Sequence, residues 1–151
     1  MGISVIIPSF NRANLIKRTL DSLLTQSFQD WECLVVDDGS VDNSLQVLYS
    51  YSKKDSRIRI FKRHRVPKGA PTCRNIGVKK ARFDNILFLD SDDLLLPWCL
   101  AERCSHIIDN PNIDLLVFQG VAAGYNQKVS LRGYPYRDDY LHAIISFQRT
   151  F

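Results

Sequence analysis

"ISVIIPSFNRANLIKRTLDSLLTQSFQDWECLVVDDGS", residues 3 to 40, decides the fold. It opens with a continuous apolar run, "ISVIIP" (3–8), rich in β-branched side chains, the pattern of a strand buried on both faces. The next segment, "RANLIKRTLDSLLTQ" (12–26), sets Leu15, Ile16, Leu20, Leu23 and Leu24 on one helical stripe, with Asn11 as the expected N-cap. "WECLVVD" (31–37) is a second apolar strand. A strand, an amphipathic helix and another buried strand form a βαβ unit, whose strands pair in parallel.

The same rhythm continues. "DGSVDNS" (38–44) reads as a turn that starts a helix, with Asp42 as a cap ahead of Leu45, Val47 and Leu48. "RIRIFK" (57–62) alternates, as a strand nearer an edge does. "PTCRNIGVKKA" (71–81) reads as a helix with Pro71 in its first turn, and "NILFL" (85–89) as a buried strand. A helix over 97–109 and a strand over 114–119 complete the alternation. Beyond Gly120 the pattern blurs: residues 125–136 suit a hairpin or a long loop, and 138–148 a short amphipathic helix. The expected fold class is therefore α/β, a mostly parallel twisted sheet flanked by helices on both faces.

Composition sets the outer limits. A chain of 151 residues, 45% hydrophobic and 24% charged, fits one globular domain. No apolar run approaches the roughly 18 residues of a membrane span. "MGISVIIPSF" lacks the basic start and cleavage site of a signal peptide. Cys33, Cys73, Cys99 and Cys104 have neither CxxC nor zinc-site spacing and are expected as free thiols in a reducing compartment. The net charge of +4 is uneven, because Lys53 to Arg82 holds twelve of the twenty basic residues and a single acid, Asp55. Such a segment is a solvated face, or a surface for an anionic ligand, an anionic membrane or nucleic acid.

Chemistry collects where strands end. In doubly wound sheets ligands bind beyond the carboxyl ends of the strands. Those ends are Pro8-Ser9-Phe10-Asn11, Asp37-Asp38-Gly39-Ser40 and Asp90-Ser91-Asp92-Asp93. In an extended segment Asp90 and Asp92 face one side and Asp93 the other. Two adjacent carboxylates repel, and a divalent cation relieves them. Mg²⁺ and Mn²⁺ suit a site of one or two carboxylates completed by phosphate oxygens. Asp38 is placed to accept a base N–H or a ribose hydroxyl. Arg74, in the first turns of a helix after Gly69, suits a phosphate, and the basic loop 62–69 lies beside it. The competing readings are ordinary: a solvated acidic turn, an Asp-Gly turn residue and a surface arginine.

Taken together these residues resemble glycosyltransferase family 2, the inverting nucleotide-sugar transferases of GT-A fold. The resemblance rests on residues 3–44, then "GAPTCRNIGVKKA", then "ILFLDSDDLLLP", in that order. It covers about residues 3–120. It implies that Pro8 and Phe10 line the nucleotide pocket and that Asp38 contacts the base, usually uracil. It implies further that Arg74 lies near the diphosphate and that Asp90, with Ser91 beside it, meets the ribose. Asp92 would then ligate the metal, Mn²⁺ or Mg²⁺, while Asp93 shapes the loop. Cys73 stands where the family more often has alanine.

The implied activity is hexosyl transfer from a nucleotide sugar, expected to be a UDP-sugar, to a saccharide or glycolipid hydroxyl with inversion. The implied setting is surface polysaccharide or glycolipid synthesis, in the cytoplasm and peripheral at the inner membrane face. Residues 1–151 are expected as a single domain, with a donor-binding part over 3–120 and the unmatched start of an acceptor side over 121–151. Asp138 and Asp139 are base candidates by type, although their spacing is short for the family and a helix N-terminus favours acids in any case. The chain is thus expected to stop before the acceptor-binding half. The alternatives are a nucleotide-sugar-binding fragment without transfer, and a basic nucleic-acid-binding module. A sugar nucleotidyltransferase is disfavoured, because Pro8-Ser9-Phe10-Asn11 stands where that class carries a glycine-rich loop.

Overall fold

The computed structural model describes residues 1–64 and 66–118. The expected hairpin or loop at 125–136, the helix at 138–148, and Asp138 and Asp139 lie outside the described residues. Within them the chain runs β1 (Ile3–Ser9), α1 (Ile16–Leu24), β2 (Trp31–Asp37), α2 (Ser44–Lys54), β3 (Ile58–Lys62), α3 (Ala70–Lys80), β4 (Asn85–Phe88) and α4 (Cys99–Asp109). These strands form one parallel sheet in the order β3-β2-β1-β4. The class read from the sequence is the one observed.

Both faces of the sheet are covered, which explains why β1 and β2 are apolar at nearly every position. Val5, Ile7, Cys33 and Val35 pack with Leu20 and Leu23 of α1, Leu48 of α2 and Leu100 of α4. Ile6, Leu34 and Ile86 point the other way, against Phe61, Phe88 and Val78 of α3. Buried Cys33 is held well above the usual thiol range by that burial and by neighbouring Glu32, so it is an inert core residue. Cys33, Cys73, Cys99 and Cys104 are all free thiols. No helix among the described residues is long and apolar enough to cross a membrane.

Helix α3 lies close against β1 at Gly77. A Cβ there would stand 2.3 Å from Ile6 Cγ2 and 3.0 Å from Ile6 Cγ1. Those atoms branch from a buried strand and have little room to move. Gly77→Ala gains helix propensity of about 1 kcal/mol, but overpacking of this kind costs about 1–3 kcal/mol. The expected outcome is a net loss of stability, read as a lower urea midpoint with unchanged slope.

Three local expectations need correction. Asn11 does not cap α1, which begins at Ile16 with no side-chain cap bond. Asn11 instead sits at φ 52°, and its Oδ1 accepts the Val41 amide at 2.9 Å. The helix expected over 97–109 begins at Cys99. Over 114–118 there is no strand, only a bridge residue at Val117. Asp42 behaves nearly as expected: its Oδ1 accepts the Ser44 amide at 3.0 Å, although Asn43 holds the cap position.

The strand order fixes where a ligand fits. From β1 the chain moves outward through β2 and β3, then returns to place β4 on the other side of β1. Connections therefore diverge at the carboxyl ends of β1 and β4 and leave a crevice between them.

Candidate functional site

That crevice is an open cleft of about 460 Å³. Its walls include Pro8, Phe10, Asp38, Arg74, Asp90, Ser91 and Asp92, every site residue singled out above within the described chain. Ser9, Arg12, Gly69, Ala70 and Cys73 line it as well. The volume falls within the range of small-molecule sites.

The loop after β4 carries the acids. The sheet ladder continues to Leu89, whose amide donates to the Ile6 carbonyl at 3.1 Å. Asp90 then opens a turn, closed by the Asp93 amide donating to the Asp90 carbonyl at 3.1 Å. Asp90 and Asp92 therefore reach the same cleft from a turn and not from an extended strand, while Asp93 does not line it. Partial burial and the carboxylates of Asp90 and Asp92 push the Asp93 carboxyl above its ordinary range. Crowding of negative charge, inferred from the sequence, is thus present.

Polar residues of α1 and, just past its end, Gln26 hold this loop. Thr19 Oγ1 donates to the Ser91 carbonyl at 3.0 Å, and Ser22 Oγ accepts the Leu95 amide at 3.2 Å. Gln26, 2% exposed, donates to the Leu96 carbonyl at 2.8 Å and accepts the Leu100 amide at 3.0 Å. The buried backbone of the loop is satisfied by side chains of a neighbouring helix, as a loop this close to the core requires.

Both acids of the β4 loop that line the cleft face arginines. Arg74 Nη2 pairs with Asp90 Oδ1 at 2.6 Å, and Arg12 Nη2 lies 3.9 Å from Asp92 Oδ2. These side chains are all at least about one-third exposed, so each pair contributes at most about 1 kcal/mol and yields readily to a ligand. Arg12 was not identified from the sequence.

Asp38 is held differently. It is 7% exposed. Its Oδ1 pairs with Arg63 Nη1 at 2.5 Å, and its Oδ2 accepts the Gly69 amide at 2.6 Å. Asp37, fully buried, builds the turn by accepting the Gly39 amide at 3.1 Å and the Ser40 amide at 2.9 Å. Gly69 has φ 122°, a conformation that favours glycine, and it caps α3. Cys73 lines the cleft behind these groups, its thiol pushed up chiefly by burial and then by Asp38.

The basic segment is less free than its composition implies. Arg57 pairs with Asp55 at 2.7 Å and lies over the Trp31 ring. Arg59 pairs with Glu32 at 2.7 Å, Arg82 lies 3.8 Å from the same carboxylate, and Arg63 and Arg74 are engaged as above. This internal pairing weakens the reading of residues 53–82 as a nucleic-acid surface.

A parallel sheet with an acid-and-arginine cleft at its switch point defines an α/β protein with a candidate small-molecule site at its strand ends. The chain belongs to glycosyl transferase family 2, whose model matches residues 4–148. It is 40% identical over 114 residues to an uncharacterized glycosyltransferase, EpsJ, of Bacillus subtilis, covering 76% of this chain and 32% of that protein. It is 36% identical over 115 residues to the GalNAc(5)-diNAcBac-PP-undecaprenol beta-1,3-glucosyltransferase of Campylobacter jejuni, covering 72% of this chain and 37% of that one. Among solved structures it is similar to S. aureus TarS 1-349, with a TM-score of 0.73 and 32% identity over 84% of this chain and 39% of that one. The same TarS portion in complex with UDP-GlcNAc gives a TM-score of 0.69 and 29% identity, covering 86% and 37% of the two chains. The chain spans less than half the length of these relatives.

Proposed function

We propose that the cleft binds the nucleotide of a UDP-sugar and that the protein serves inverting transfer of its hexose to an acceptor hydroxyl. The observation that carries this reading is the gathering of Pro8, Phe10, Asp38, Arg74, Asp90, Ser91 and Asp92 in one cleft at the switch point of the sheet. Similarity to a TarS structure solved with UDP-GlcNAc supports the choice of donor. Similarity to a glucosyltransferase named for an undecaprenol-linked saccharide supports a saccharide or glycolipid acceptor. The corresponding setting is surface polysaccharide or glycolipid assembly at the cytoplasmic face of a membrane.

Each wall has a task in this reading. Phe10, 47% exposed, and Pro8 offer an apolar surface to the base. The Asp38 carboxylate accepts from the nucleoside, using lone pairs left over by Arg63 and Gly69. Arg74 turns from Asp90 to the diphosphate and stabilises the charge that grows there as the glycosidic bond breaks. Asp90 and Ser91 face the ribose side.

Among the described residues no three His, Cys, Asp or Glu side chains converge as an ion site. Asp90 and Asp92 fit instead a hard divalent cation that takes one or two carboxylates and completes its shell with diphosphate oxygens and water. Bound there, Mn²⁺ or Mg²⁺ would supply Lewis acidity at the leaving diphosphate. The acceptor hydroxyl attacks the anomeric carbon from the face opposite that diphosphate and gives its proton to a carboxylate base. Asp138 and Asp139 are the candidates by type. The activity that the described residues support by themselves is donor binding, which is also the alternative reading of a chain spanning less than half of its relatives.

Asp38→Ala tests the donor assignment. UDP affinity by calorimetry is expected to fall about tenfold both with and without Mn²⁺, since a hydrogen bond to a charged group contributes about 1.5–3 kcal/mol. Unchanged affinity in a folded variant would contradict the role of Asp38.

A further inference from the structure

Arg63 stands at the carboxyl end of β3 and is only 9% exposed. A guanidinium is seldom buried to that degree without work for its donors. Here Nη1 donates to Asp38 Oδ1, and Nη2 donates to the Pro67 carbonyl. The backbone amide of Arg63 donates to the Asp37 carbonyl at 2.9 Å, so the side chain springs from the edge of the sheet itself. Asp38 completes the circuit through the Gly69 amide. One guanidinium thus joins the end of β2, the end of β3 and the chain leading into α3. Asp38, Gly69 and Ala70 all line the cleft, whereas Arg63 does not.

This arrangement has two consequences. An ionised Asp38 without Arg63 would sit buried and without its counter-charge at the nucleoside end of the cleft. The carboxylate would also lose the contact that fixes its plane. We propose that Arg63 is a positioning residue for the nucleoside end of the cleft: it neutralises Asp38 and orients it toward the base or ribose. The role rests on the donor reading of the cleft. It leaves the diphosphate end intact, because α3, which carries Arg74, is anchored separately where Gly77 packs on Ile6.

Calorimetry on the full chain with two probes tests the role: UDP with Mn²⁺, and inorganic pyrophosphate with Mn²⁺. In Arg63→Met, UDP affinity is expected to fall about tenfold while pyrophosphate affinity stays within about twofold, because truncating a buried charge pair acts where the stranded charge lies. Arg63→Lys keeps the charge but lacks the planar fork that reaches Asp38 and Pro67 together, so it recovers UDP affinity only in part. It also supplies the readout if the methionine variant does not fold. Equal weakening of both probes marks a general structural role and overturns the proposal, as does unchanged UDP affinity in a folded variant. A wild-type chain that binds pyrophosphate but no nucleoside more tightly overturns the donor reading, and the role of Arg63 with it.

Discussion

Asp92→Asn is expected to abolish the dependence of UDP binding on divalent cation, a loss of about tenfold or more in affinity when Mn²⁺ is present. The expected sign differs without the cation. Asp92 is 48% exposed on its side chain and lines the cleft as a negative charge only partly offset by Arg12 at 3.9 Å. Removing that charge leaves cation-free binding unchanged or slightly stronger. Thus the variant binds UDP equally with and without Mn²⁺, whereas the wild type binds more tightly with it. Calorimetry in the four conditions checks this. A variant that retains the full response to Mn²⁺ would remove Asp92 from the cation site.

The second large effect concerns stability. Glu32, 3% exposed, is buried at the start of β2, at the opposite end of the sheet from the cleft. Its Oε1 accepts from Ser4 Oγ at 2.9 Å and from the Arg82 amide at 2.5 Å. Its Oε2 pairs with Arg59 at 2.7 Å. Glu32→Ala therefore removes the acceptor of the Arg82 amide and the counter-charge of Arg59, and it leaves Ser4 Oγ with only the Phe83 carbonyl at 3.4 Å to donate to. Removing one partner of a buried pair costs about 3–5 kcal/mol, which for a chain of this size lowers the melting temperature by roughly 6–20 °C. Glu32→Gln keeps the shape and one acceptor and is expected to lose less. A shift of only about 1 °C for Glu32→Ala would show that the network is dispensable.

The alternation of strand and helix was legible because each element carries its own pattern. Val5, Ile6 and Ile7 read as a doubly buried strand before any partner is known, and Leu20 and Leu23 mark the buried stripe of α1. What failed depended on distant partners. Asn11 has the chemistry of a cap, but the Val41 amide claims its side chain from another loop. Leu115, Leu116 and Val117 have strand composition, yet no ladder forms beyond a bridge at Val117.

The cleft was read in part. Asp38, Asp90 and Asp92 showed themselves as acids beside apolar runs, a local conflict that marks a site. Asp90 and Asp92 were expected to share a side because of strand geometry, and they share a cleft through a turn instead. Arg63 gave no local signal. Within "KRHRVPKG" it is one cation among several, and only the packing of β3 beside β2 brings it to Asp38. The grip of Thr19, Ser22 and Gln26 on the acidic loop was hidden for the same reason, since polar residues on a helix read as its solvent face.

The central claim, a donor nucleotide site at the end of β1 and β4, is tested most directly by titrating the wild-type chain with UDP, CDP, GDP and ADP, with and without Mn²⁺. The account predicts saturable binding that is tightest for UDP and stronger with Mn²⁺. A folded protein that binds none of the four, or binds all of them equally without regard to cation, would contradict it.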